Sequence, residues 1–165
     1  MKKIVFLSLL LFTLSALLAS CFGTGGTENK DDRFWASGSG MYISSSDDGH
    51  DMALDLSDVI YAKLGFVPTL KAAEKTPVLH EIIIGETENE LSAKAYNLLE
   101  RKLETDELCG YLIYSNGTAV AIAYSNEDML ELAINIFVEK FLIVKSGTID
   151  LKSGTLDSDV FNLYD

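Results

Sequence analysis

The residues best equipped for chemistry in this 165-residue chain form one short run, Asp47-Asp48-Gly49-His50-Asp51, in which carboxylates and an imidazole are close enough in sequence to meet a divalent ion. The run lacks the spaced ligands and closing glutamate of a calcium loop, and neither His50 nor His80 opens a His-Glu-x-x-His zinc signature. An aspartate-rich loop entering a helix is the simpler account, so no metal ligand and no cofactor are expected. Nucleophilic catalysis needs a positioned base, and the chain has only 2 histidines and no Gly-x-Ser-x-Gly elbow to present a serine. His80 borders an aliphatic run and reads as structural, and Cys109 precedes another, where a buried, inert thiol is expected. Glycoside cleavage asks only for two carboxylates about 5 to 10 Å apart, but it also asks for a deep cleft, and the carboxylates here fall mostly on wet helical stripes. The chain is therefore read as non-catalytic. The candidates left for holding a ligand are aromatic: Trp35, the sole tryptophan, able to stack on a sugar ring, and Tyr124 at the end of an apolar run.

The elements that must position these side chains are organised around residues 110–142. Tyr111 to Ser115 and Thr118 to Tyr124 are β-rich runs separated by Asn116-Gly117, a pair that tolerates the positive φ angles of a type I′ hairpin. In the second run Val120, Ile122 and Tyr124 take one face, while Ala119, Ala121 and Ala123 leave the other open to close approach by a helix. The following segment supplies a helix, with Ser125 as its expected N-cap and an apolar stripe of Leu130, Ala133, Ile134, Phe137 and Phe141.

Upstream, Met41 to Ile43 reads as a short first strand. Met52, Leu56, Val59, Ile60 and Leu64 keep helical spacing, with Gly65 as the C-terminal cap. Phe66 to Leu70 is expected as an edge strand because Pro68 cannot donate to a ladder on both sides. Glu81-Ile82-Ile83-Ile84-Gly85 is the continuous apolar run of a central strand, and Thr87 with Glu90 has capping-box spacing ahead of a second helix built on Leu91, Ala95, Leu98, Leu99 and Leu103. Thr148 to Lys152 alternates and is expected to add a last strand. This order predicts an α+β fold, a two-layer sandwich with a mixed sheet of about four to five strands and three helices packed mainly on one face.

The first residues belong to delivery. Lys2 and Lys3 precede an apolar run from Ile4 to Ala19, shorter than the roughly 20 residues that span a bilayer and typical of a secretory signal. Its end, Leu18-Ala19-Ser20-Cys21, resembles a bacterial lipobox, which implies cleavage before Cys21 and diacylglyceryl transfer to its thiol. The expected organisation is a signal peptide over 1–20, a lipidated cysteine and flexible tether over 21–40, an α+β domain over 41–152 and a polar tail over 153–165. The protein is accordingly expected at the cell membrane, lipid-anchored on the extracytoplasmic face of a bacterial cell, with a protein or glycan partner there. The whole chain carries 13 basic and 25 acidic residues, and losing Lys2 and Lys3 would take its net charge from −12 to about −14. That excess argues against nucleic acid or anionic lipid as a partner.

The run ending in Ile84-Gly85-Glu86-Thr87, the helix carrying Ala95 to Leu99, the hairpin of Gly110 to Ile113 and Ala121 to Ala123, and the helix ending at Phe141-Leu142 together carry a resemblance. From about Met52 to Leu142 the chain resembles the small α+β domain at the front of bacterial glycoside hydrolases, the β-N-acetylhexosaminidase or α-glucuronidase N-terminal type. The resemblance implies a fold and carbohydrate-related company, as an accessory domain, and no activity, because the catalytic acid and nucleophile of those enzymes lie in a barrel that follows this domain. No catalytic residue is carried over. Three readings result: a standalone accessory lipoprotein, a lipoprotein that binds a sugar or other small solute, or the front fragment of a glycoside hydrolase.

Overall fold

The computed structural model describes residues 34–35, 40–145, 148–149 and 151–163, within one compact unit spanning Asp31–Asp165. The expected signal peptide, Cys21 and nearly all of the tether lie outside the described residues, as does the side chain of Trp35.

Among the described residues, nine strands and three α-helices follow in the order β1 (Phe34–Trp35), β2 (Tyr42–Ser45), α1 (His50–Leu64), β3 (Thr69–Lys71), β4 (Glu81–Ile84), α2 (Glu90–Glu100), β5 (Leu108–Ser115), β6 (Val120–Tyr124), α3 (Glu127–Ile136), β7 (Val144–Lys145), β8 (Thr148–Ile149) and β9 (Gly154–Asn162). A single π-helical turn, Phe137–Phe141, prolongs α3. The main sheet has six strands in the order β3-β2-β4-β6-β5-β9, and β1, β8 and β7 form a small antiparallel sheet of their own. Within the main sheet β3, β2, β4 and β6 run parallel, and β5 runs antiparallel to both β6 and β9.

The α+β sandwich expected from the sequence is present, with six strands in its main sheet against the four to five that the sequence predicts. Two of its three helices share a face, as expected of most of them, and the third makes a further layer. Ile82 and Ile84 of β4 join Leu56 and Ile60 of α1 and Leu130, Ala133 and Ile134 of α3 in one core cluster. Ile83 points the other way and packs with Leu91, Ala95 and Leu99 of α2. The reason lies in the strand order. The crossover β2-α1-β3 steps toward one edge of the sheet, whereas the path from β4 through α2 to β6 steps toward the other. Crossovers of the same right hand that step in opposite directions place their helices on opposite faces. The alanine face of β6 does receive a helix, but it is α2, with Ala119, Ala121 and Ala123 in its cluster, and α3 covers the face of Val120, Ile122 and Tyr124 instead.

Local expectations shift in three places. The hairpin pairs Ser115 with Val120, so its loop is four residues long, and only Gly117 has positive φ, at 98°. A type I′ turn needs two such residues. Here the Asn116 carboxamide takes over, its Oδ1 accepting from the N–H groups of Thr118 at 2.9 Å and Ala119 at 2.8 Å. Both helix caps also fall later than expected: Asn89 Oδ1 accepts from Leu91 N at 2.9 Å, and Asn126 Oδ1 from Met129 N at 3.0 Å, displacing Thr87 and Ser125. Finally, residues 153–165, expected as a polar tail, contain the nine-residue strand β9, which pairs along β5 with a register shift at Ile113/Tyr114. Its side chains are too polar to announce a strand. Backbone pairing and ties such as Tyr111 Oη donating to Asp157 Oδ1 at 2.8 Å hold it instead.

Candidate functional site

In a mostly parallel sheet flanked by helices, ligands gather outside the carboxyl ends of the strands, where the strand order reverses. That point lies here between β2 and β4, since one crossover departs outward from each. A cavity of about 540 Å³ opens at this end. It is lined by Asp48 from the loop after β2, Glu86 directly after β4, Tyr124 as the last residue of β6, Ser125, Asn126 and Glu127 at the entrance to α3, and Tyr96 and Leu130 from α2 and α3.

Backbone bonds fix the three strand ends relative to one another. Ser46 N donates to Ile84 O at 2.8 Å, and Gly85 N donates to Ile122 O at 3.0 Å. Gly85 adopts φ 85°, and a Cβ there would collide with the Ser46 side chain and lie 3.0 Å from Tyr124 Oη. Only glycine combines that backbone conformation with so close an approach. From the other side, Ser92 Oγ donates to Gly85 O at 2.7 Å, tying the first turn of α2 to the same corner.

Tyr124 Oη donates to Asp48 Oδ2 at 2.8 Å. Its ring meets that of Tyr96 edge to face, with centroids 6.3 Å apart. Tyr124 belongs to the core cluster of α1 and α3, while Tyr96 packs against the cluster of α2, so the pair joins both layers past the end of the sheet. The Ser46 hydroxyl holds the Asp48 carboxyl below its usual range, against some burial and with help from Tyr124 and the Gly49 backbone. Asp48 is therefore a carboxylate at neutral pH, a form that its exposure to water also favours. Burial, with the Asp48 charge and hydrogen bond added and the Ser46 hydroxyl opposing, pushes the Tyr124 phenol up to about 12, so it remains a donor. Burial first, and then Tyr124, likewise raise the Tyr96 phenol.

Of the sequence candidates, the structure therefore brings Tyr124 and Asp48 together. Asp47 and His50 face a second cavity of about 410 Å³ with Ser45 and Lys71. Lys71 is committed there to other partners, lying 2.8 Å from Glu74 and 3.5 Å from the fully buried Glu81. Glu81 also accepts from Ser44 Oγ and Val78 N, each at 2.8 Å, so this buried carboxylate acts as a brace between β2, β4 and the segment before it. Among the described residues no group of three histidine, cysteine or acidic side chains is placed to hold a metal ion. Among the described residues lining the first cavity there is no histidine to approach Ser125, whose Oγ accepts from Gly110 N at 2.9 Å. The cavity offers carboxylates, phenols and an amide around an open space, a set suited to holding a hydroxylated or charged molecule.

Sequence reasoning missed Glu86, Tyr96, Asn126 and Glu127. The signal for three of them was their place just after an apolar strand, which becomes informative only once β2, β4 and β6 are known to be parallel neighbours. Cys109 is buried and unpaired, as a packed thiol would be. No helix among the described residues is long and apolar enough to cross a membrane. No family model matches the chain, and no curated protein matches it.

Proposed function

We propose that this chain is a non-catalytic lipoprotein, anchored through Cys21 on the extracytoplasmic face of a bacterial membrane, whose α+β domain binds a sugar or similar small solute. The observation that carries the binding role is the cleft at the carboxyl ends of β2, β4 and β6, where Asp48 and Tyr124 are joined at 2.8 Å and Tyr96 stands against them. Carboxylates and an amide accept hydroxyl protons, and tyrosine rings supply apolar surface for the C–H faces of a sugar. A volume of about 540 Å³ lies within the roughly 300 to 1,000 Å³ usual for small-molecule sites. The resemblance of residues 52–142 to the accessory domain of glycoside hydrolases supports the carbohydrate direction. The anchor rests on Lys2, Lys3, the apolar run behind them and Leu18-Ala19-Ser20-Cys21.

Two experiments test the proposal. The detergent-solubilised chain is applied to a glycan array beside the Tyr124→Phe and Asp48→Asn variants. Selective binding that both variants weaken is expected, and an array with no selective signal would remove the binding role. Cells expressing the chain are fed labelled palmitate, which should mark the wild type and not Cys21→Ser; equal labelling of the two would remove the anchor.

A further inference from the structure

We infer that the molecule held in this cleft carries a protonated amine. The inference rests on the reading of the cleft as a ligand site and adds the charge of the ligand. Among the described residues three carboxylates line the cavity, Asp48, Glu86 and Glu127, and no lysine, arginine or histidine does. The contrast with the second cavity is informative, since there Asp47 shares the lining with His50 and Lys71.

A helix terminus opposes this charge without cancelling it. Among the described lining residues Asn126 and Glu127 stand at a helix entrance, that of α3, and an N-terminus presents about half a positive charge. Set against three carboxylates, that leaves the cavity negative by roughly 2.5 charges. The net charge of −12 over the whole chain adds a field of the same sign. An anionic ligand would have to enter against that potential and a neutral one gains nothing from it, whereas a cationic one is drawn in.

The shape of the site separates an organic ammonium from a bare ion. The three carboxylates come from the ends of three different segments, and no trio of acidic side chains among the described residues is placed to hold a metal. Spread charge of this kind suits an ammonium group on a larger frame, with the frame lying along Leu130 and the rings of Tyr96 and Tyr124. Aromatic rings also attract ammonium groups through their electron-rich faces. Amino sugars and linear polyamines share this chemistry.

The test is calorimetric titration of the full chain in detergent with four probes: a glucosamine disaccharide, its N-acetylated counterpart, spermidine and calcium chloride. At least one of the two amine probes should bind, and which of them does identifies the frame. Acetylation, which removes the charge and keeps the sugar, should weaken binding tenfold or more. Glu86→Gln and Glu127→Gln, both surface changes that should leave the fold intact by circular dichroism, should each weaken amine binding about fivefold, the upper range for an exposed ion pair. Equal binding of the acetylated and free sugars would overturn the amine requirement and leave the cleft reading standing. Calcium binding alone, or amine binding indifferent to both glutamine variants, would also overturn it. Failure of every probe, combined with a blank glycan array, would remove the cleft reading as well.

Discussion

Replacing Gly85 by alanine separates two costs that usually arrive together. Gly85 and Gly117 both have positive φ, 85° and 98°, yet a Cβ on Gly117 would meet nothing within 4 Å, while one on Gly85 would run into the Ser46 side chain and approach Tyr124 Oη at 3.0 Å. Backbone strain for an L-residue in that region is about 1 kcal/mol at either position. Only Gly85→Ala adds overpacking, about 1 to 3 kcal/mol where the neighbours must shift. Ser46 has little room to give, because its backbone N–H is bonded to Ile84 O at 2.8 Å. The expected losses are therefore about 1 kcal/mol for Gly117→Ala and about 3 kcal/mol for Gly85→Ala. At roughly 4 °C per kcal/mol for a domain of this size, these correspond to falls in Tm of about 4 °C and 12 °C by differential scanning calorimetry. Gly85→Ala should also weaken ligand binding, since Ser46 supports the Asp48 carboxylate and Tyr124 lies beside the added methyl. Equal falls for the two variants would refute the close-packed corner beneath the cleft.

Two further outcomes follow from buried or paired charges. Lys71→Met leaves Glu81 as a fully buried carboxylate without its cation, and should cost about 3 kcal/mol in urea unfolding; the double variant Lys71→Met with Glu81→Gln, whose amide oxygen can still accept from Val78 N while the Ser44 hydroxyl turns to accept from its NH2, should recover part of that loss, and failure to recover any of it would show that Lys71 acts mainly through packing on the Tyr42 ring. Burial raises the Asp157 carboxyl, but hydrogen bonds from Lys140 and Tyr111 and the Lys140 charge outweigh it and hold the carboxyl below its ordinary 3.8. A carboxyl lowered by folding contributes stability that is present above its unfolded pKa and lost as pH falls through the folded one. Stability measured from pH 6 down should therefore drop below about pH 4, and Asp157→Asn should flatten part of that drop; an unchanged slope would show that Asp157 does not couple β9 to the core.

How much of this was legible in the sequence depended on whether side chains or backbone order carried the information. The run Ile82-Ile83-Ile84 announced a strand covered on both faces, and β4 is fully buried in the interior of the sheet. The stripes of α1, α2 and α3 were readable because each buries its apolar positions at regular spacing. Assigning helices to faces was not possible from spacing, because a stripe shows which side of a helix is oily and says nothing of which side of the sheet receives it. Strand order decides that, and strand order is set by long-range pairing. Strand β9 was hidden for a related reason, as the consecutive polar residues Asp157, Ser158 and Asp159 break the apolar-polar alternation along backbone that pairs with β5. At the site, Tyr124 and the aspartate run could be singled out by residue type, whereas Glu86 and Tyr96 look like any other surface glutamate and helix tyrosine until β4 and α2 are folded beside β6.

The edge position of β9 gives the fold a guarded flank. None of its nine residues is fully buried, so it is clipped to β5 by its main chain and by contacts at Asp157 and Ser158, whereas β5 itself is buried from Cys109 to Ser115. A strand fastened in this way peels off at lower cost than the globule melts. Once it lifts, β5 presents a bare ladder of apolar residues, the template on which one chain zips onto another. The acidic side chains along the clip then serve a second purpose, since like charges on neighbouring copies keep them apart while the strand settles back.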